Sequence, residues 1–545
     1  MSSRSLGHRA PLLWLVVPLM AGLSLGHAGL MLPVGWSLAL AVAAVSVAWI
    51  FRERGGVRWH GAIVFAMLCA GLASYALHRP RIAAWEQLPP REARLTIEIE
   101  RVFAQKEEKR ISGVARIVET APHLQETRGH RVYFSLNTRA GSRDLVATSQ
   151  HEVIGVLAGL PRVAEPGSFD QFLTDAGVNY RVTRGRFLEQ TRAPTAYRQF
   201  CANAATRLSA ILGLGVEAKR PELTGVYRAM LLGQQAELTE EQGAAFRRSG
   251  TMHIFSISGL HIAVIAGAIH GLLLLLRVPA KARLIVGLTV LWLYVDVTGR
   301  APSAVRAFTM VALVQTSLAL RVPANPVAAL ATSAWLVAVF DPLGTFSTSF
   351  RLSYAIVAAL LMLGLPLAET LQRAWLPERD LPKIAWPWWR HVAGWCWRGF
   401  ASSVAIGFAI SLVGTLCGVW YFQLLTPGAL FLNLVFVPAA SLAMIGGFVS
   451  LLLGLVGFDG GASLANHASV LLLAILDATV RGFVLVPGMW FNAVFRVSWV
   501  GGFSIVALLF AIGFGYAQGW QRASRGYWAP LAVVLVAVAA GVKLL

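Results

Sequence analysis

The stretch TMHIFSISGLHIAVIAG, residues 251–267, decides how this chain is read. Its second half is the apolar start of a membrane helix. Its first half places His253, Ser256, Ser258, Gly259 and His261 where a lipid-facing helix would carry Leu and Val. Polar side chains at membrane depth are costly unless they face protein, water or a transported molecule. The composition of the whole chain fits that setting. Of 545 residues 56% are hydrophobic and 14% charged, and the mean hydropathy is +0.61. Long uncharged runs recur, which excludes an ordinary soluble protein and predicts a polytopic α-helical membrane protein.

The formal net charge is +20. It has two readings, and both stay open: the basic bias of cytoplasmic loops, or attraction to a polyanion or anionic lipid. Cys69, Cys201, Cys396 and Cys417 show neither CxxC nor a Cys/His cluster, so no disulfide framework and no structural metal is expected. No cofactor motif is present either.

Upstream of the central stretch, residues 1–80 give three apolar spans, near 11–31, 34–51 and 61–77. The first is read as a retained span, because two more follow at once. Arg4 and Arg9 precede it, and Arg52, Arg54 and Arg58 separate the second from the third. Placing both clusters in the cytoplasm puts the next region outside. That region, residues 91–190, changes to a period of two. LTIEIERVF, RISGVARIVET, HRVYFSLNT and HEVIGVLAGL are strand-length runs. They predict an all-β extracytoplasmic domain, with an OB-like barrel as one form. Fifteen basic against thirteen acidic side chains make it no strong polyanion magnet overall. A local patch at Arg181, Arg184 and Arg186 could hold phosphates. Phe103, Tyr133, Phe134, Tyr180 and Phe187 either stack bases or fill the barrel core. Tyr133 and Phe134 are taken with the three arginines as candidate contacts to single-stranded DNA. Residues 195–250 read as amphipathic connecting helices lying on the outer face. Thr239 and Gln242 form a capping box there.

From residue 251 to 545 about nine or ten further hydrophobic segments follow. The run at 427–455 contains Pro438, Gly446 and Gly447, and reads as a broken or re-entrant pair. Six tryptophans crowd residues 375–397 and predict an interfacial helix. Simple alternation brings four polar, interrupted stretches to one outer level. They are SISGLH, TGRAPSAVRAF with Arg300, Pro302, Ser303 and Arg306, DPLGTFSTSFRLSY with Asp341 and Arg351, and LLTPGALFLN with Asn433. Broken helices at that depth are tolerated only in protein or beside a water-filled cavity. We therefore expect a polar cavity opening outward and suited to an anionic passenger. Each arginine could instead snorkel or pair with Asp341.

Catalysis has a thin basis. Ser258 and His261 stand at i, i+3, within reach as nucleophile and base. HExxH, HxHxDH, GxSxG and the P-loop pattern are all absent. On a continuous helix His253 and His261 would lie about 80° apart.

ELTEEQGAAFRRSGTMHIFSISGLHIAVIAG, GRAPSAVRAFTM, DPLGTFSTSFRLSYA and LLTPGALFLNLVFVP, in this order, closely resemble the signature of ComEC-type competence proteins. Those are the inner-membrane DNA channels of natural transformation. The resemblance covers nearly the whole chain. It implies passage of single-stranded DNA from periplasm to cytoplasm, with no enzymatic step in this chain. The implied channel positions are His253, Ser256, Ser258, Gly259, His261, Pro302, Ser303, Arg306, Arg351 and Asn433. The energetics of moving phosphate inward call for a periplasmic DNA receptor and a cytoplasmic motor or strand-binding protein, and a homodimer is a further expectation. Many members carry a C-terminal metallo-β-lactamase-like domain. This sequence stops at Leu545 without HxHxDH, so a separate nuclease is expected, or the chain is a fragment or degenerate copy. The alternatives are a transporter of another anion and a membrane-embedded hydrolase.

Overall fold

The computed structural model describes residues 11–30, 32–53, 56–79, 89–103, 110–137, 145–161, 168–255, 257–322, 325–374, 387–520 and 526–545. It shows a multi-pass membrane protein. Among the described residues six helices are long and apolar enough to cross a bilayer, and five shorter apolar helices accompany them.

Helices α1 (Leu13–His27), α2 (Val34–Ile50) and α3 (Gly56–His78) form the N-terminal group. Gly22 of α1 and Gly71 of α3 meet with no room for a Cβ on either side. Small residues let the two backbones approach, which is how helices hold each other in lipid.

The β-domain follows α3. Strands β1 (Arg91–Val102), β2 (Arg110–Thr120), β3 (Arg131–Asn137), β4 (Gln150–Gly159) and β5 (Val178–Arg192) close a barrel in the order β1-β2-β3-β5-β4. β3 and β5 pair in parallel, and the other pairs are antiparallel. The period-two pattern does the work: Leu95, Ile97 and Ile99 point into the core, while Glu98 and Glu100 stay outside it. Gly185 abuts the Ile154 carbonyl, where no Cβ would fit. The expected all-β barrel is present. It also contains an unforeseen helix, α4 (Phe169–Asp175), capped by Ser168.

The sequence reading laid residues 195–250 on the outer face. The structure runs them through the molecule instead. Helix α5 (Ala196–Gly213) begins three residues after β5. Its first turn meets Asp296, at the barrel-side end of α9 (Ala280–Val297). Its far end meets Gly454, near the C-terminus of α15 (Ala429–Leu455). Gly215, just beyond it, sits on Ser463 and His467 at the start of α16 (Asp459–Val484). Eighteen residues rise about 27 Å, close to the hydrocarbon thickness of about 30 Å. Helices α6 (Pro221–Leu232) and α7 (Glu240–Arg248) climb back along α16. Tyr227 reaches Asn466 on the way and Glu241 reaches Arg481.

The remaining helices are α8 (Gly259–Leu275), α10 (Pro302–Ala319), α11 (Pro326–Phe340), α12 (Thr348–Ala359), α13 (Leu365–Ala374), α14 (Trp388–Phe422), α17 (Ser498–Ala517) and α18 (Trp528–Gly541). Three expectations change here. The central segment is not helical from His253: a single turn, Met252–Phe255, is followed by a break, and α8 starts only at Gly259. Residues 429–455 form one continuous helix, not a broken pair. Gly446 and Gly447 serve close packing instead, against Ser469 and against Leu231 and Tyr227. The tryptophans Trp388, Trp389, Trp395 and Trp397 lie on the first turns of α14, which is 35 residues long and continuous with its span. Trp375 and Trp386 lie outside the described residues.

Between α12 and α13 the helix widens to a π-turn at Leu360–Gly364. Pro366 has no N–H to give the Met362 carbonyl. The indole of Trp520 donates to it instead, at 2.8 Å. On the barrel side, β6 (Leu424–Leu425) and β7 (Phe491–Phe495), from two inter-helix connections, join β8 (Val542–Leu544), which follows α18, in a small antiparallel sheet.

Candidate DNA entrance

The four polar stretches meet, as the alternation requires. Three of them are joined by hydrogen bonds, and the fourth packs against Gly250, just ahead of the central stretch. Gly250, with φ +76°, ends α7 against Thr426 and Ala429 of the LLTPGA stretch. A left-handed residue there is nearly cost-free only for glycine. The break after Phe255 leaves the Ile257 carbonyl without a helical partner, and Ser303 Oγ donates to it at 2.6 Å. Pro302 opens α10, where its missing N–H costs nothing. One turn on, the Arg306 guanidinium donates to the Ser349 carbonyl at 2.8 Å and to Ser349 Oγ at 2.9 Å. That joins PSAVRA to the SFRLSY stretch.

Ser258 is the N-cap of α8. Its N–H donates to His261 Nδ1 at 3.2 Å, and its hydroxyl lies 2.8 Å from the same nitrogen. The pair imagined as nucleophile and base is thus engaged in closing a helix end. His253 Nδ1 lies 3.1 Å from the Gly250 carbonyl and its side chain is exposed. Ser256 lies outside the described residues.

Burial divides the candidates. His261 is fully buried and Arg306 only 4% exposed, so both brace the entrance from within protein. His253, Gly259, Pro302 and Asp341 are exposed. Asp341 accepts from the Gly344 N–H and shapes its own turn. No arginine forms an ion pair with it among the described residues, so of the two alternatives for the arginines, pairing with Asp341 is not the one seen. Arg300 is bound at 3.2 Å to Asp296 instead, and the Arg351 guanidinium lies over the Phe346 ring at 5.8 Å. Asn433 has a buried Oδ1 with no hydrogen bond among the described residues.

Sequence reasoning missed Asp296. This buried carboxylate accepts from Tyr197 Oη at 2.6 Å and from Arg198 Nη1 at 3.2 Å, and pairs as an ion with Arg300 Nε at 3.2 Å. The signal was there: a lone acid in LWLYVDVTG, within an apolar run. It missed Asn466 too, whose amide donates to the Ile211 and Leu214 carbonyls and ends α5.

On the barrel, Phe134 is fully buried in the core. It cannot touch a strand, and that candidate is withdrawn. Tyr133 is half-buried on the outside, paired in register with Arg181. Its ring lies 6.2 Å from Phe103 and 5.2 Å from Phe169. Phe172 stacks on Phe169 at 5.9 Å. Arg181, Arg184 and Arg186 are all exposed, with Arg181 3.8 Å from Asp170.

The sequence profile of the competence proteins matches residues 230–521. That is more than half of the chain, and it takes in all four stretches of the entrance. The chain belongs to the competence protein family. Within that family it is similar to ComE operon protein 3 of Bacillus subtilis (strain 168), with 28% identity over 142 residues. The match covers 26% of this chain and 18% of that relative, so the chain spans less than a fifth of the relative's length. No solved structure matches. The competence profile excludes the barrel and α5, so those parts are read from their own chemistry.

Proposed function

We propose that this protein is the inner-membrane channel that brings single-stranded DNA into the cytoplasm during natural transformation. One observation supports the reading: the four interrupted stretches, which lie within the competence profile, come together at the barrel-side ends of their helices. The charge distribution supports the orientation. Arg52, Arg58, Arg277, Lys281, Arg283, Arg321 and Arg398 all lie at the ends away from the barrel, so the far side is cytoplasmic and the barrel periplasmic. Membership of the competence family supports DNA as the passenger.

In this reading, a receptor presents DNA on the periplasmic side and a separate nuclease removes the second strand. Moving phosphate inward against the membrane potential costs about 2.3 kcal/mol per charge per 100 mV. The sequence holds no nucleotide-binding motif, so a cytoplasmic motor or strand-binding protein pulls. The barrel gathers the strand on Tyr133, Phe103, Phe169 and Phe172, with Arg181 beside them.

The test is uptake of labelled DNA in a deletion strain complemented with the chain or with Arg306→Glu, with membrane insertion confirmed by blot. Uptake restored by the wild type and abolished by the inserted variant is the expected result. Normal uptake by the deletion strain would dismiss the reading.

A further inference from the structure

Among the nominated residues His261 and Arg306 are buried, and the exposed ones, His253, Gly259, Arg300, Pro302 and Asp341, lie at the barrel-side ends of helices, so the path farther in needs another wall. Helix α5 runs the depth of the molecule, from Asp296 to Gly454, yet it is not one of the apolar helices that accompany it. Gln199, Asn203, Thr206 and Arg207 are all exposed. At helical spacing they fall within an arc of about 100°. The opposite side, with Cys201 and Leu212, is buried against the protein. A polar face at this depth cannot rest against lipid hydrocarbon at equilibrium. Exposed apolar positions on α15 and α16 include Val435, Leu442, Leu464 and Leu471, as lipid contact requires.

Charge runs the same way. From residue 178 to 220 the chain carries eight basic and two acidic side chains. They begin on barrel strand β5, pass Arg192 above the membrane and Arg207 within it, and end at Lys219 and Arg220 on the far side.

Resting on the channel reading above, we propose that the exposed face of α5 is the wall along which the DNA strand travels. Amides and hydroxyls at Gln199, Asn203 and Thr206 replace water around the strand, and Arg207 offsets phosphate charge midway. The barrel strand and the wall are then one covalent track.

The experiment uses the full-length protein in cells taking up DNA whose trailing end is blocked by streptavidin. The exposed native thiol is removed by Cys396→Ser. Single cysteines are placed by Asn203→Cys and Thr206→Cys, with Leu471→Cys as the lipid-facing control. A membrane-impermeant maleimide should label the first two and not the third. A stalled strand should slow labelling about tenfold, as expected for an occluded polar path. Labelling that ignores the stalled strand overturns the proposal, and so does no labelling in an active variant. A disulfide between two copies at Asn203→Cys would assign the face to a second protomer and overturn it as well. Arg207→Glu should cut uptake about tenfold or more, with Arg207→Lys restoring it, since the site senses phosphate charge. If uptake needs the protein but not this face, only the present inference falls.

Discussion

Arg306 shows what a single residue can do at this depth. It carries a charge in a buried place without a carboxylate. A carbonyl and a hydroxyl of one serine hold it, and its Nε makes no hydrogen bond among the described residues. Lysine has no planar fork to reproduce that grip, so Arg306→Lys should lower thermal stability while preserving charge. Asp296 accepts from Tyr197 and Arg198 and pairs with the exposed Arg300, so removing it would strand the mostly buried Arg198. Asp296→Ala should cost on the order of 3 kcal/mol, the range for breaking a buried pair, measured by thermal unfolding in detergent. Ser258→Ala removes a cap hydroxyl. It should cost about 1 kcal/mol and leave uptake intact, since the hydroxyl serves the helix end. The odd residues were legible because polar groups in apolar runs are rare. Their partners were not, since Ser349 and Ile257 offer backbone oxygens that no side-chain pattern announces.

Helices are where composition misled. Gly446 and Gly447 looked like a break, yet they mark where Ser469, Leu231 and Tyr227 press against the backbone of α15. Gly447→Leu should therefore fail to fold, which loss of the monodisperse peak on size exclusion would reveal. A glycine pair reads the same whether the chain bends or a neighbour comes close. Helix α5 was mislaid for a related reason. Its polar face keeps its hydropathy low, and hydropathy alone cannot tell a surface helix from one beside water inside the membrane. The π-turn before Pro366 gives a sharper case. Trp520→Phe strands the Met362 carbonyl in an apolar place and should cost about 1–3 kcal/mol, read as a lower melting temperature. Four of the five barrel strands were legible nearly to their ends, because alternation and burial follow one period, while β5 stood out for its arginines rather than its alternation.

Over the whole molecule the order of spans and the position of the barrel were legible, because charge bias and apolar length are summed over many residues. How the barrel sits was not. Arg79 donates to the Thr174 carbonyl, and the His27 ring stacks on Phe346 at 4.3 Å. His27 Nε2 lies 3.7 Å from Asp175. Burial raises the Asp175 carboxyl to about 6, against the pull of Arg351 and Arg79. Unfolded, it titrates near 4. Between those values the folded form holds a proton that the unfolded chain has lost. Stability should rise as pH falls from about 6 to 4, by up to about 3 kcal/mol. Asp175→Asn should flatten that slope in melting curves across the same window.

The three residues between β5 and α5 leave little slack, and Asp296 clamps the first turn of the helix just below them. The barrel is therefore not a domain on a tether but the outer end of a strut. Load applied to it passes through α5 into α9 and on to the ends of α15 and α16 that lie away from the barrel.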